Sequence, residues 1–186
     1  FCFLLLSLLT VTIPSEAKKK VHTIGDSTMA NYATDGTTDK RGWAQMLQQF
    51  FNVDNVTVNN RGKSGASSKS FYLESAYWPT LVTGGSDAMQ AGDFLLIQFA
   101  HNDEKNGGAD GDVVKEYYAN QGDATTAAST DYRGTTASGT YKEYIRKYID
   151  EAKAMGVKPI VVGPICRKYF STDGQSIKRN GMHDLG

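Results

Sequence analysis

Cysteine is nearly absent from this chain: Cys2 and Cys166 are the only two. Cys2 sits in an apolar opening run expected to be removed, so one cysteine would remain and no intrachain disulfide could brace the fold. Cys166, beside the apolar stretch 160–165, reads as a small buried hydrophobe rather than a nucleophile. A surplus of charge is missing as well, because 20 basic side chains balance 20 acidic ones. That balance gives no electrostatic pull toward nucleic acid or an anionic membrane surface. The one basic cluster, Lys18, Lys19 and Lys20, reads as a solvated strand entrance. Histidine is scarce too, with only His22, His101 and His183 available as a general base.

Long hydrophobic runs are lacking apart from residues 1–13, and these are too few to cross a bilayer as a helix, so no stable membrane span is expected. The run resembles the apolar region of a secretory signal whose beginning is missing. Ser15, Glu16 and Ala17 supply the small residues that place cleavage after Ala17. The competing interpretation, a buried N-terminal helix, would leave thirteen residues without a polar face. The mature protein is therefore expected to be secreted or periplasmic. With 40% hydrophobic and 22% charged residues, 18–186 fits a single globular domain.

Residues 21–24 form an apolar strand that runs into Gly25, Asp26, Ser27 and Thr28. The segment 41–51 sets Trp43, Met46, Leu47, Phe50 and Phe51 at helical spacing, predicting an amphipathic helix laid on a sheet. A second strand over 56–59 ends at Arg61, Gly62, Lys63, Ser64 and Gly65. Residues 67–81 suggest one or two short helices broken near Pro79. The apolar run 94–99 predicts a strand covered on both faces, ending in Ala100, His101, Asn102 and Asp103. Residues 106–140, rich in Gly, Ala, Thr, Asp and Ser, read as a surface insertion that borders a binding site. Tyr141, Tyr144, Ile145, Tyr148, Ile149 and Ala152 then hold one helical stripe, Gly156 ends that helix, and 157–163 form the next buried strand.

Alternating strands and helices predict a three-layer α/β/α sandwich around a parallel sheet, and in such folds sites form beyond the carboxyl ends of the strands. Ser27, Gly62 and Asn102 each follow a different strand, 35 and 40 positions apart in sequence. The sheet would bring them to one rim, where a serine hydroxyl can attack an ester and the tetrahedral oxyanion needs preorganised donors. The amides of Ser27 and Gly62 and the side chain of Asn102 are candidate donors. Each residue also has a plainer interpretation: Ser27 as a helix cap, Gly62 as a positive-φ turn, Asn102 as a cap after the third strand.

The stretches Ile24-Gly25-Asp26-Ser27-Thr28-Met29-Ala30, Arg61-Gly62-Lys63-Ser64 and Gly92 through Asp103 resemble the first three sequence blocks of the SGNH/GDSL hydrolases. The similarity is greatest to the rhamnogalacturonan acetylesterase branch, with Ala100 where that branch usually has Gly. The resemblance implies a flavodoxin-like sandwich, Ser27 as nucleophile, and Gly62 and Asn102 in an oxyanion hole. It further implies hydrolysis of O-acetyl esters on a pectic polysaccharide or oligosaccharide substrate, without metal or cofactor.

The family draws its base from an Asp-x-x-His segment, and this chain has only Asn180-Gly181-Met182-His183. The catalytic His and Asp are thus expected beyond Gly186, in a chain truncated at its C-terminus and inactive as it stands. His183 with Asp184 is the substitute pair. His22 precedes the strand exit and should point away from the rim, and His101 should support structure. Asp26 and Trp43 are candidate substrate contacts, and Asn31, Tyr32, Arg41 and Asn106 also suit sugar hydroxyls and rings. A lipase or thioesterase of the same fold, and a non-catalytic carbohydrate-binding relative, are the alternative functions.

Overall fold

A computed structural model of the chain describes residues 18–103, 133–135 and 139–165. The expected signal segment, His183, Asp184 and most of the expected insertion lie outside the described residues. Strands β1 (Lys19–Gly25), β2 (Val56–Asn60), β3 (Phe94–Gln98) and β4 (Lys158–Val161) form one sheet in the order β2-β1-β3-β4. Every neighbouring pair is parallel, so all four carboxyl ends meet along one edge. Helices α1 (Ser68–Leu73), α2 (Trp78–Thr83) and α3 (Thr140–Ala154) accompany the sheet, and a 3₁₀ helix spans Trp43–Phe50. The α/β architecture expected from the element order is therefore present. Among the described residues, no helix is long and apolar enough to cross a membrane.

Alternation along β3 divides the sheet into two unequal faces. Leu95 and Ile97, followed by Phe99, are fully buried, and join Phe71, Leu81 and Tyr148 in one core. Phe99 stacks on Tyr148 at 5.7 Å and meets Phe71 at 5.6 Å. Tyr148 comes from the expected stripe of α3, along with buried Tyr141 and Ala152. Its hydroxyl donates to the Ser68 carbonyl at 2.7 Å, joining α3 to the start of α1. Gly156, with φ of 74°, turns the chain after α3 as a glycine in that position can.

The opposite face is less covered than the sequence pattern suggests. Phe94 and Leu96 are half-buried, and line an apolar concavity of about 320 Å³ with Val21, Leu47, Phe51, Val56 and Ile160. The segment 43–50 is 3₁₀ rather than α-helical, so three residues per turn bring Ala44 and Leu47 onto the same side, while Met46 and Phe50, the latter at the end of the helix, are exposed. Gln48 accounts for its docking, because Oε1 accepts from the Val58 amide at 2.7 Å and Nε2 donates to the Val56 carbonyl at 3.2 Å. This side chain thus pairs with the free edge of β2. The strand expected to be buried over 157–163 is also corrected: among the described residues β4 pairs with β3 alone, and Ile160 and Val161 are 46% and 51% exposed. Pro79 does not break a helix; it occupies the first turn of α2, where its missing N–H costs no bond.

At the strand entrances, His22 is buried, with Nδ1 3.2 Å from Asn59 Nδ2 and Nε2 3.2 Å from Asp93 Oδ2. Since the Asn59 amide nitrogen can only donate, Nδ1 accepts and the arrangement fits neutral His22 with its proton on Nε2. Burial holds its pKa below the usual imidazole value although Asp93 pulls upward. Asp93 also accepts from the amides of Lys20 and Gln90, each at 2.9 Å. This base-like pair therefore ties β1 to the turn before β3, far from the carboxyl edge.

Below about pH 6.5 the unfolded chain protonates His22 while the folded chain resists, so the histidine's contribution to stability falls with pH. His22→Gln removes that dependence. Urea unfolding at pH 7 and pH 5 should show the stability gap between wild type and variant narrowing at the lower pH; a constant gap would refute the neutral assignment.

Candidate active site

Ser27 lies in the turn that follows β1, at the sheet's carboxyl edge. The turn is made locally: Asp26 is 1% exposed, and its Oδ1 accepts from the Thr28 amide at 2.8 Å and the Thr28 hydroxyl at 2.9 Å. The amides of Met29 and Ala30 both return to the Asp26 carbonyl. Asp26 therefore shapes the turn from inside, with its carboxylate turned toward Thr28. Ser27 itself is half-buried, its carbonyl accepting from the Tyr32 hydroxyl at 2.8 Å. Among the described residues, neither its amide nor its hydroxyl has a hydrogen-bond partner.

The turn sits where side chains at two neighbouring positions would collide with it. A Cβ on Gly25 would come within 2.2 Å of Met29 Sδ and 2.4 Å of the Gln98 carbonyl. A Cβ on Gly62 would lie 2.8 Å from the Met29 carbonyl carbon and 2.9 Å from the Ala30 nitrogen. Gly62 is therefore required for close approach, and its position brings the end of β2 against the Ser27 turn. The Lys63 amide reinforces this by donating to the Gly25 carbonyl at 2.9 Å.

Asn60, which the sequence did not single out, locks the same approach. Its Oδ1 accepts from the Thr23 hydroxyl at 2.7 Å and from the Gly62 amide at 3.0 Å. Its Nδ2 donates to the Met29 carbonyl at 2.7 Å and to Asn31 Oδ1 at 2.8 Å. All four bonds of one amide are thus made. They hold the Gly62 turn to the Ser27 turn, and they engage the Gly62 N–H. The only signal in the sequence was an asparagine at a strand end, a residue type common in turns.

Gln98 is a second unanticipated link, detectable as the one polar side chain in the apolar run 94–99. It is 2% exposed. Oε1 accepts from Trp43 Nε1 at 2.7 Å and lies 3.1 Å from the Thr28 hydroxyl, whose one proton it shares with Asp26, while Nε2 donates to the Gly163 carbonyl at 2.9 Å. Trp43, anticipated as a substrate contact, has its indole N–H committed to Gln98, and its amide donates to the Thr28 carbonyl. Asn31 and Arg41 are exposed and Tyr32 is half-buried, all near the Ser27 turn in sequence; Asn106 lies outside the described residues.

Asn102 follows β3 and is 8% exposed. One proton of its Nδ2 goes to the Ala66 carbonyl at 2.9 Å, in the loop that continues from Gly62. Ser27, Gly62 and Asn102 thus follow three strands that end on one edge, Gly62 packed against Met29 and Ala30 of the Ser27 turn and Asn102 bonded to the 62–68 loop. His101 points elsewhere, with Nε2 2.7 Å from the Ile165 carbonyl. Asp103 is fully buried, and burial pushes its carboxyl up to about 7, with Asp26 adding to the rise and donors from Ser68 and Thr135 opposing it. Within the expected surface insertion, 133–135 packs inward: Gly134 and Thr135 are buried, and Arg133 Nη1 donates to the Gly65 carbonyl at 3.1 Å.

Residues 23–181 match the family described as GDSL-like Lipase/Acylhydrolase. The rhamnogalacturonan acetylesterase RhgT of Bacillus subtilis is 28% identical over 156 residues, covering 84% of this chain and 53% of that protein. The probable rhamnogalacturonan acetylesterase YesY of the same bacterium is 27% identical over 150 residues, covering 81% and 55%. The chain therefore spans about half the length of the curated relatives it matches. A crystal structure of protein YXIM from Bacillus subtilis shares the fold at a TM-score of 0.59 and 20% identity, over 91% of this chain and 40% of that one.

Replacing Asn60 by Ala leaves the Gly62 amide and the Met29 carbonyl without their partner. Unsatisfied buried groups cost about 1–3 kcal/mol each, and both of these bonds are only partly buried, so equilibrium unfolding should show a loss of about 1–2 kcal/mol. An unchanged midpoint would mean that water replaces the amide without penalty.

Proposed function

The chain belongs to the GDSL-like lipase/acylhydrolase family, and from that premise we propose that it is a carbohydrate O-acetylesterase acting through Ser27. The observation that carries the proposal is a serine whose hydroxyl and amide have no hydrogen-bond partner among the described residues, at the carboxyl edge of a parallel sheet, in a turn packed against Gly62 and near the loop that Asn102 grips. Ser27 Oγ attacks the acetyl carbonyl and loses its proton to a histidine. The oxyanion is held by the Ser27 amide and the second Nδ2 proton of Asn102, with the Gly62 amide joining once Asn60 shares it. Collapse of the intermediate breaks the ester bond, and the histidine gives its proton to the departing sugar oxygen, which leaves as a hydroxyl. Water then attacks the acetyl-serine and releases acetate.

The histidine is assigned outside the described residues. His22 is buried at the strand entrances and His101 is turned to Ile165, so neither suits the role. His183 with Asp184 is the candidate pair that this sequence contains. Export is part of the same proposal and rests on the apolar run 1–13 and on Ser15, Glu16 and Ala17.

The pectic substrate is supported by the names of the two Bacillus relatives, which cover most of this chain at 27–28% identity. Against a lipid substrate, the apolar concavity is lined by the first halves of β1 and β2, with Lys19, Val21 and Val56, and so lies away from Ser27. It offers no acyl pocket to that serine.

With the full-length protein, acetate release from an acetylated pectic oligosaccharide should fall by at least about 10³-fold in Ser27→Ala. Asn102→Ala should lower turnover by about 10²–10³. Equal rates for wild type and Ser27→Ala would remove the assignment, and a preference for long-chain over acetyl nitrophenyl esters would redirect it to a lipase.

A further inference from the structure

Asp103 is a fully buried carboxylate that the proposed reaction does not use. Its Oδ1 accepts from the Ser68 hydroxyl at 2.5 Å and the Thr135 hydroxyl at 3.0 Å, and the Ser68 amide lies 3.1 Å from both carboxylate oxygens. The Thr135 amide returns to the Asp103 carbonyl at 2.9 Å. Next to it in sequence, Asn102 holds the Ala66 carbonyl. Two consecutive residues after β3 therefore grip one short segment, 66–68, at both its ends.

That segment continues from Gly62. Its Ala66 amide donates to the Lys63 carbonyl, and Arg133 holds the Gly65 carbonyl, so the loop is fastened at every second or third position between the Ser27 turn and α1. Asn102 has only one proton tied to this loop; the backbone that carries its side chain is fixed by Asp103. We propose that Asp103 is a positioning residue for the oxyanion pocket: by holding Ser68 and Thr135 it fixes the spacing between Asn102 and the Gly62–Ser68 loop. The segment 133–135 is then a strut of the site. This inference rests on the esterase proposal for its kinetic consequence, but not for its geometric one.

An apolar replacement at this position leaves three donors facing an empty acceptor site, and displacement of Asn102 follows. Asn at position 103 keeps an oxygen where Oδ1 stands. Small displacements of positioned groups cost up to about 10²-fold in rate. In the full-length protein, nitrophenyl acetate hydrolysis by Asp103→Ala should fall about 10- to 100-fold in kcat with little change in KM, and Asp103→Asn should recover most of that loss. Ser68→Ala and Thr135→Val, milder changes at the same carboxylate, should lower kcat in the same direction while thermal unfolding still reports a folded protein. The side-chain amide resonances of Asn102 in ¹⁵N-labelled protein should move in all four variants. Unchanged kcat and unchanged Asn102 resonances in Ser68→Ala and Thr135→Val overturn the positioning role. Inactivity of the wild type would sink the esterase proposal alone, since the resonances test the geometry independently.

Discussion

The close approach of two backbone turns governs this structure. The turn after β1 and the turn after β2 touch at Met29, Ala30 and Gly62, with no room for a Cβ on Gly25 or Gly62. Gly42 abuts the same turn from the start of the 3₁₀ helix. Because Met29 is fully buried in this junction, the turn that carries Ser27 is seated by packing as well as by its own hydrogen bonds. Any side chain added there would have to displace backbone, which a close-packed interior tolerates poorly.

Around that contact the polar groups form separate, nearly complete sets. Asn60 makes all four amide bonds, Gln98 joins the Ser27 turn to Trp43 and the exit of β4, and Asp103 collects the donors of Ser68 and Thr135. Each set bridges elements distant in sequence, so each converts sheet topology into fixed spacing at one edge. Buried groups of this kind are costly unless satisfied. Satisfied, they brace the edge around the Ser27 hydroxyl and amide, which have no hydrogen-bond partner among the described residues.

The two sheet faces divide the labour differently. The face bearing Leu95, Ile97 and Phe99 closes on aromatic side chains from α1 and α3. The other carries the concavity between the 3₁₀ helix and the strand entrances. The unbroken apolar run at 94–99 does not distinguish these two environments, because a half-buried Phe94 and a fully buried Leu95 look alike in composition. The same limit applies to 41–51, where an apolar stripe at α-helical spacing is a 3₁₀ helix whose Gln48 bonds the edge of β2.

The order of strands, the stripe of α3 and the positions of Ser27, Gly62 and Asn102 after successive strands are legible in the residues alone. Local periodicity and turn chemistry record them directly. Membership of the GDSL-like family was legible for the same reason, since its blocks are contiguous. Asn60, Gln98, Asp103 and Thr135 acquired their parts only in three dimensions. Their partners lie between 2 and 70 positions away, and nothing in a one-dimensional pattern says which carbonyl or amide a buried polar side chain will meet. The same holds for His22, whose neutral state comes from burial and from a donor on β2. Sequence set which groups would reach the sheet edge; tertiary packing decided which of them are bound to one another there.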